Sequence, residues 1–431
     1  MTDAAPVVTR TEAARLRDMA LALVRGSTVG PNQTISSGRN ATGRSLLLPG
    51  VNTPDRATYP AFWTRDPAWI AGGGLAEAED AWGWLALLCE TMNGSEARLL
   101  ASGATIPPFA VADHVNTDGA PVYFPGTYDS GESQGGPEFG LLPPHDDQYW
   151  PAFTAYAVMV RSGDPSVGSR PVRTPLGEIP VWLACDLAHH AMEVDETSGL
   201  CLVRADRHQV DWGYNDTIAK SGLVLFPSLL RLESCLKLAA LCEGCGQDGR
   251  ASAFRAEAAR IRDSIPRHFA RACGGQIWLH SATGTGNVPD VWGTAFAVHR
   301  GFVDDELANN LCRALLDAFE SGAAVRAGQV SHVLPDRGWP SAIPPSGTYQ
   351  NGAYWGYPVG WYVHALSLVS RSAARDLFMD YMRAMREGWN ETGVECAYEC
   401  VNDELAHRQN PGYLTTVALP YVSLLEAGLL S

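Results

Sequence analysis

The stretch Val210-Asp211-Trp212-Gly213-Tyr214-Asn215-Asp216-Thr217-Ile218 sets two acids five residues apart among two aromatics and an amide, and Lys220-Ser221-Gly222 leads on into a strongly apolar helical run. Two readings fit it. Carboxylates move protons on and off a substrate, aromatic faces stack on the apolar faces of a pyranose and amides bind hydroxyls, so the stretch suits chemistry on a sugar. Equally, Asp216 before an apolar-periodic run is an ordinary helix-start signal. The rest of the chain has to decide between them.

Outward from this stretch the arrangement recurs. Polar and aromatic segments run over Trp63 to Asp66, His145 to Trp150, Asp211 to Asp216, Asp290 to Thr294, Tyr349 to Tyr357 and Glu395 to Gln409. Each introduces a helical run that is apolar or small almost all round, as buried helices are, and runs with one charged face alternate with these. The spacing is too long for a short-period solenoid repeat and suits a helical hairpin plus a loop. An all-α fold follows, with six inner helices within six outer ones and the six introductions gathered at one end. Residues 1–431 are expected to form a single catalytic domain, with 1–10 disordered and Asn93 to Pro144 a long functional loop. Few strands are expected beyond Gln276 to His280 and Gly199 to Val203.

Composition narrows the partners. A formal net charge of −15 opposes binding to nucleic acid or an anionic membrane. No apolar run reaches the roughly 18 residues of a spanning helix, and residues 1–30 lack a leader pattern, so a soluble, cytoplasmic protein is expected. The ten cysteines are read as reduced, with Cys89, Cys185, Cys235 and Cys312 on apolar helix faces. Cys242 and Cys245 have CxxC spacing without a second pair. His189-His190 lacks a third ligand, so no metal or cofactor is expected.

The pattern resembles the six-hairpin (α/α)6 glycosidase superfamily, which contains trehalases, glucosidase I-like enzymes, neutral invertases and glucosylglycerate hydrolases. As architecture the resemblance covers essentially the whole chain; as motif it is confined to four places. Trp63-Thr64-Arg65-Asp66 resembles a segment whose acid binds hydroxyls of the terminal sugar. Residues Asp211 to Asp216 resemble the general-acid segment, and the spacing to Gly222 makes Asp216 the nearer match. Tyr349-Gln350-Asn351-Gly352 with Tyr354, Trp355 and Trp361 resembles an aromatic wall, and Glu399-Cys400-Val401-Asn402 the segment of the general base. The order Tyr-Asn-Asp-Thr with Lys220 departs from the trehalase pattern, where Ser and Arg follow the acid.

The resemblance implies an inverting, exo-acting hydrolase of a small glycoside or oligosaccharide carrying a glucosyl-type terminal sugar. Asp216 is then the acid, with Trp212 and Tyr214 limiting its solvation, and Glu399 the base, with Glu395 and Glu404 as competitors. Trp63, Arg65, Asp66, Asp147, Gln148, Trp150, Asp211, Gln350, Asn351, Tyr354 and Trp355 are expected to line the sugar site. Simpler roles compete: Asp66 before Pro67 and Asp146-Asp147 suit helix caps, and Trp292 and Trp361 suit the core. Three rival functions are a sugar epimerase or isomerase using His145, His299, His364 or His407, a glycoside phosphorylase, and a non-catalytic sugar-binding protein.

Overall fold

The computed structural model describes residues 6–53, 56–392 and 397–430, and side chains outside 53–57 and 387–396. Twelve α-helices lie among the described residues: α1 Arg10–Ser27, α2 Arg65–Ile70, α3 Ala78–Glu90, α4 Trp150–Ser162, α5 Val181–His189, α6 Leu225–Gly244, α7 Asp248–Phe269, α8 Val291–His299, α9 Asp305–Glu320, α10 Val359–Ser367, α11 Arg371–Thr392 and α12 Thr415–Glu426. The six even-numbered helices are the ones entered from the polar and aromatic segments. None of the described helices is long and apolar enough to cross a membrane.

The chain clusters into two compact units. One comprises residues 28–268 with 282–287; the other comprises 1–27, 269–281 and 288–431. In the first, α4 packs between α2 and α6, with α3 and α5 against its outer side. In the second, α10 packs between α8 and α12, while α9, α11 and α1 cover them. Burial follows sequence pattern. All nine residues of α8, Val-Trp-Gly-Thr-Ala-Phe-Ala-Val-His, are buried, because it carries no charged group that would have to reach water. Its partner α9 buries Leu311, Cys312, Ala314, Leu315 and Ala318 and leaves Asp304, Asp305 and Glu306 exposed.

Two sequence expectations change. Within residues 6–10, Val7 and Val8 are buried, and Thr9 and Glu12 form a reciprocal cap in which each side chain accepts the other's backbone N–H at 3.4 and 2.9 Å. The stretch Asn93 to Pro144 is no structureless loop. Arg98–Leu99 pairs with Thr105–Ile106, and His114–Asn116 pairs both with Pro121–Val122 and with Ala61–Trp63, the strand that leads into α2. The strand expected near Gln276 pairs with Ala270–Cys273, and Leu202–Val203 pairs with Gly222–Leu223. A five-stranded sheet was not foreseen. It runs Val325–Arg326, Gln329–Ser331, Tyr354–Trp355, Cys400–Asn402, His407–Gln409.

Glu12 also ties α1 to α11, accepting from Arg375 Nη1 and Nη2 at 2.5 and 2.6 Å. The Arg375 hydrogen bond holds the Glu12 carboxyl down at about 2, against the opposing effect of burial. A depressed folded-state pKa contributes stability above the unfolded value of about 4.5 that is lost as pH falls towards the folded one. Glu12→Gln is therefore expected to lower the urea midpoint at pH 7, with the gap to wild type shrinking between pH 5 and pH 3. A gap of constant size across that range would contradict the assignment.

Candidate active site

Arg65, the first residue of α2, is 3% exposed. Its guanidinium meets three aspartates: Asp113, Asp146 at 3.3 Å from Nε, and Asp147 at 3.2 Å. Asp113 also holds His114 Nδ1 at 2.7 Å, and Trp63 stacks on the His114 ring with centroids 4.2 Å apart. Arg65 lies over Trp63 at 5.5 Å. One guanidinium among three buried carboxylates leaves excess negative charge, and a group in that position neutralises by taking a proton. Burial, with the charges of Asp146 and Asp113, pushes Asp147 well above the usual carboxylate range. Burial likewise raises Asp146. For Asp113 burial acts upward too, but the Arg65 charge and His114 outweigh it and hold that carboxyl low.

Asp146 reaches into the segment that opened the sequence reading. Its Oδ2 accepts from Trp150 Nε1 at 3.2 Å as well as from Arg65, and its Oδ1 accepts from the backbone N–H of Gly213 at 3.1 Å. One residue on, Tyr214 donates its hydroxyl to Asp66 Oδ1 at 2.8 Å. The first three helix entrances are thereby joined by side-chain hydrogen bonds. Asp66 does not cap α2, whose N-cap is Thr64. Burial raises its carboxyl to about 6, against the lowering effects of Arg65 and Tyr214.

Residues 211–216 separate the two acids. Asp211 Oδ2 takes Lys220 Nζ at 2.7 Å, and both side chains are 0% exposed. Asp216 is half-buried at the end of the short 3-10 turn Gly213–Asn215. It does not cap the following helix, because α6 starts at Leu225 with Val224 as its N-cap. Beside it Asn215 is fully buried and its side-chain amide has no partner among the described residues. Trp212 lies flat on Phe226, 3.7 Å between centroids at 10°.

In the second unit the sheet does the joining. Trp355 pairs with Cys400 and Tyr354 with Val401, so the Tyr349 to Tyr357 segment and the segment carrying Glu399 share one backbone ladder. Glu399 is 2% exposed and accepts from Asn410 Nδ2 at 2.6 Å. Glu404 is exposed and paired with Arg326; Glu395 lies outside the described residues. Asp290 caps α8 through Gly293 N–H at 2.6 Å and holds His332 Nε2 at 3.0 Å. Trp292 stacks on His332 at 4.0 Å.

Several residues expected to line the sugar site have partners within the protein. Arg65 is enclosed by carboxylates. Gln148, 0% exposed, accepts from Val111 N–H at 2.9 Å and donates to the Pro144 carbonyl. Asn351 donates to the Pro344 carbonyl at 2.9 Å, and the Gln350 carbonyl accepts from Trp339. Trp150, Trp212 and Trp355 are each at most 1% exposed. Asp113, His114 and Asn410 were missed; a charged pair inside the apolar run Phe109 to Val115 was the available signal.

Of the histidines of the rival reading, His145 and His407 lie within the second and sixth entrances, where His407 Nε2 accepts from the Tyr349 backbone N–H at 3.2 Å. His145 is fully buried on the Glu193 carbonyl, and burial lowers it to about 4. His299 and His364 meet at 3.0 Å near the C-terminal ends of α8 and α10, away from the helix entrances. His189 does acquire neighbours: its ring, Cys235 and Glu257 offer ligand atoms within 4.8 Å of one another. The Arg231 guanidinium already pairs with Glu257 there, placing a fixed positive charge where a metal ion would need to sit.

No known family model and no curated protein matches the chain. Solved structures do. A GH63 mannosylglycerate hydrolase from Thermus thermophilus, in complex with glucose, is 14% identical over 94% of this chain and 99% of its own, with a TM-score of 0.58. A GH15 glucoamylase from Hypocrea jecorina is 13% identical over 96% of this chain and 71% of its own, at 0.55. A GH78 rhamnosidase from a Bacillus species is 12% identical over 96% of this chain at 0.54, and the chain spans only 34% of that enzyme's length. At such identities the likeness shows the fold, which is the all-α (α/α)6 fold of the six-hairpin glycosidases.

Asp66 yields a test of the site's electrostatics. A carboxyl raised in the folded state loses stabilisation as pH rises from its unfolded value of about 3.8 through 6. Asp66→Asn keeps an acceptor for Tyr214 but no charge. Measured by urea unfolding, its stability relative to wild type is expected to improve between pH 4 and pH 7; a difference independent of pH would show that Asp66 is not raised.

Proposed function

We propose that the chain is a glycoside hydrolase, inverting and exo-acting, that removes a glucosyl-type terminal sugar from a small glycoside or oligosaccharide. Residues 1–431 are read as one catalytic domain. Asp216 gives its proton to the glycosidic oxygen as the bond to the anomeric carbon breaks, and Glu399 takes a proton from the water whose oxygen attacks that carbon. The observation that carries the reading is the division between the acids of 211–216. Asp211 is sealed against the Lys220 ammonium, a partner that favours its charged form, while Asp216 is half-buried. The amide of Asn410 on Glu399 favours the charged form that a base needs.

The fold shared with a mannosylglycerate hydrolase and a glucoamylase supports the reaction class, by analogy. Asp66 and Asp147, with Tyr214 and Tyr354, are the proposed sugar contacts.

Asp216→Asn and Glu399→Gln are each expected to lower turnover of a cleaved glycoside by at least about 100-fold, while the circular dichroism spectrum and thermal midpoint stay near those of wild type. Near wild-type activity in either folded variant would remove that residue from the mechanism.

A further inference from the structure

Gly213 is a glycine for a reason its backbone angles do not supply. It carries no positive φ, yet a Cβ built on it would fall within the Arg65 guanidinium. The peptide therefore lies directly against the Arg65 side chain, while its N–H points at Asp146 Oδ1, 3.1 Å away. Asp146 is held in turn by Arg65 Nε and Trp150 Nε1 at 3.3 and 3.2 Å. Upstream, the backbone N–H of His145 donates to the Val210 carbonyl and that of Leu141 to the Arg207 carbonyl. Downstream, Asn215 N–H closes the 3-10 turn onto the Trp212 carbonyl at 2.9 Å, and Asp216 ends that turn.

We infer that Arg65 and Asp146 are positioning residues, a platform and a hook that fix the Gly213–Asp216 turn, and that Gly213 is the position that lets the turn seat on them. The inference rests on the reading of Asp216 as general acid. It gives Arg65 a different task from the sugar contact expected from sequence. The guanidinium is spent on three carboxylates and covered by the Gly213 peptide. It acts on the substrate only through the turn, and a carboxyl displaced by about an ångström loses most of its catalytic advantage.

The test uses the full chain with Gly213→Ala and Asp146→Asn, and reads leaving-group dependence and amide exchange together. Methyl glucosides of both anomers need a proton on the departing oxygen; 2,4-dinitrophenyl glucosides leave as a stable phenolate and do not. Gly213→Ala is expected to lose about 100-fold in kcat on a methyl glucoside and at least tenfold less on the dinitrophenyl substrate. Its amide exchange should rise over 211–216 and stay unchanged in α4 and α6. Asp146→Asn, which keeps an oxygen for the Gly213 N–H, should show the same pattern with a smaller loss. Equal losses on both substrates, or unchanged exchange over 211–216, would overturn the inference. Should wild type cleave no glucoside of either kind, the hydrolase reading fails separately, and the exchange comparison still decides whether Arg65 and Asp146 hold the turn.

Discussion

The buried guanidinium of Arg65 is the constraint on which the first unit depends. A charge with 3% exposure is tolerated only when opposite charges and hydrogen bonds surround it, and removing one partner of a buried pair costs about 3–5 kcal/mol because the other is left uncompensated. Here the partners come from three separate stretches of chain: Asp113 before α4's entrance, Asp146 and Asp147 within it, and the Gly213 peptide of the third entrance lying on top. Satisfying one cation therefore fixes the mutual placement of all three entrances. Burial and the neighbouring carboxylates push Asp147 well above the usual carboxylate range. The carboxyls around Arg65 are shifted in opposite directions, Asp147 and Asp146 up and Asp113 down.

The second unit reaches the same end with backbone. Strands of two and three residues link the fifth and sixth entrances in one ladder, and Trp292 Nε1 ties the fourth to it by donating to the Val330 carbonyl at 3.2 Å. Peptide groups carry no net charge, so no protonation has to be balanced there. Glu399 immediately precedes the Cys400–Asn402 strand, with the Asn410 amide on its carboxylate.

The helices were legible because periodicity is a long signal. α8 and α9 differ in pattern over a whole helix length, and the six entrances announced themselves by aromatic and acidic composition just before apolar runs. Two-residue strands carry no such periodicity, which is why the five-stranded sheet and the pairing of His114–Asn116 with Ala61–Trp63 were invisible. The roles of individual side chains were hidden for another reason. Arg65 and Asp146 read as ligand-binding or capping residues by type and position, yet long-range partners decided their roles: Asp113 lies 48 residues from Arg65, and Gly213 lies 67 from Asp146. Asp216 was likewise ambiguous until α6 was seen to begin nine residues later, at Leu225, which removes the capping role. The preference for Asp216 over Asp211 rests on motif spacing; what the sequence did not show is that Asp211 is paired with Lys220.

The proposed reaction is the splitting of a glycosidic bond by a single displacement, with Asp216 as acid. Proton NMR of wild type mixed with α- and β-linked aryl and alkyl glucosides reads this directly, since the anomer released first appears before mutarotation scrambles it. Inversion predicts that the first free sugar signal has the anomeric configuration opposite to that of the cleaved bond. Release with retained configuration, or no free sugar from any of these substrates, would contradict it.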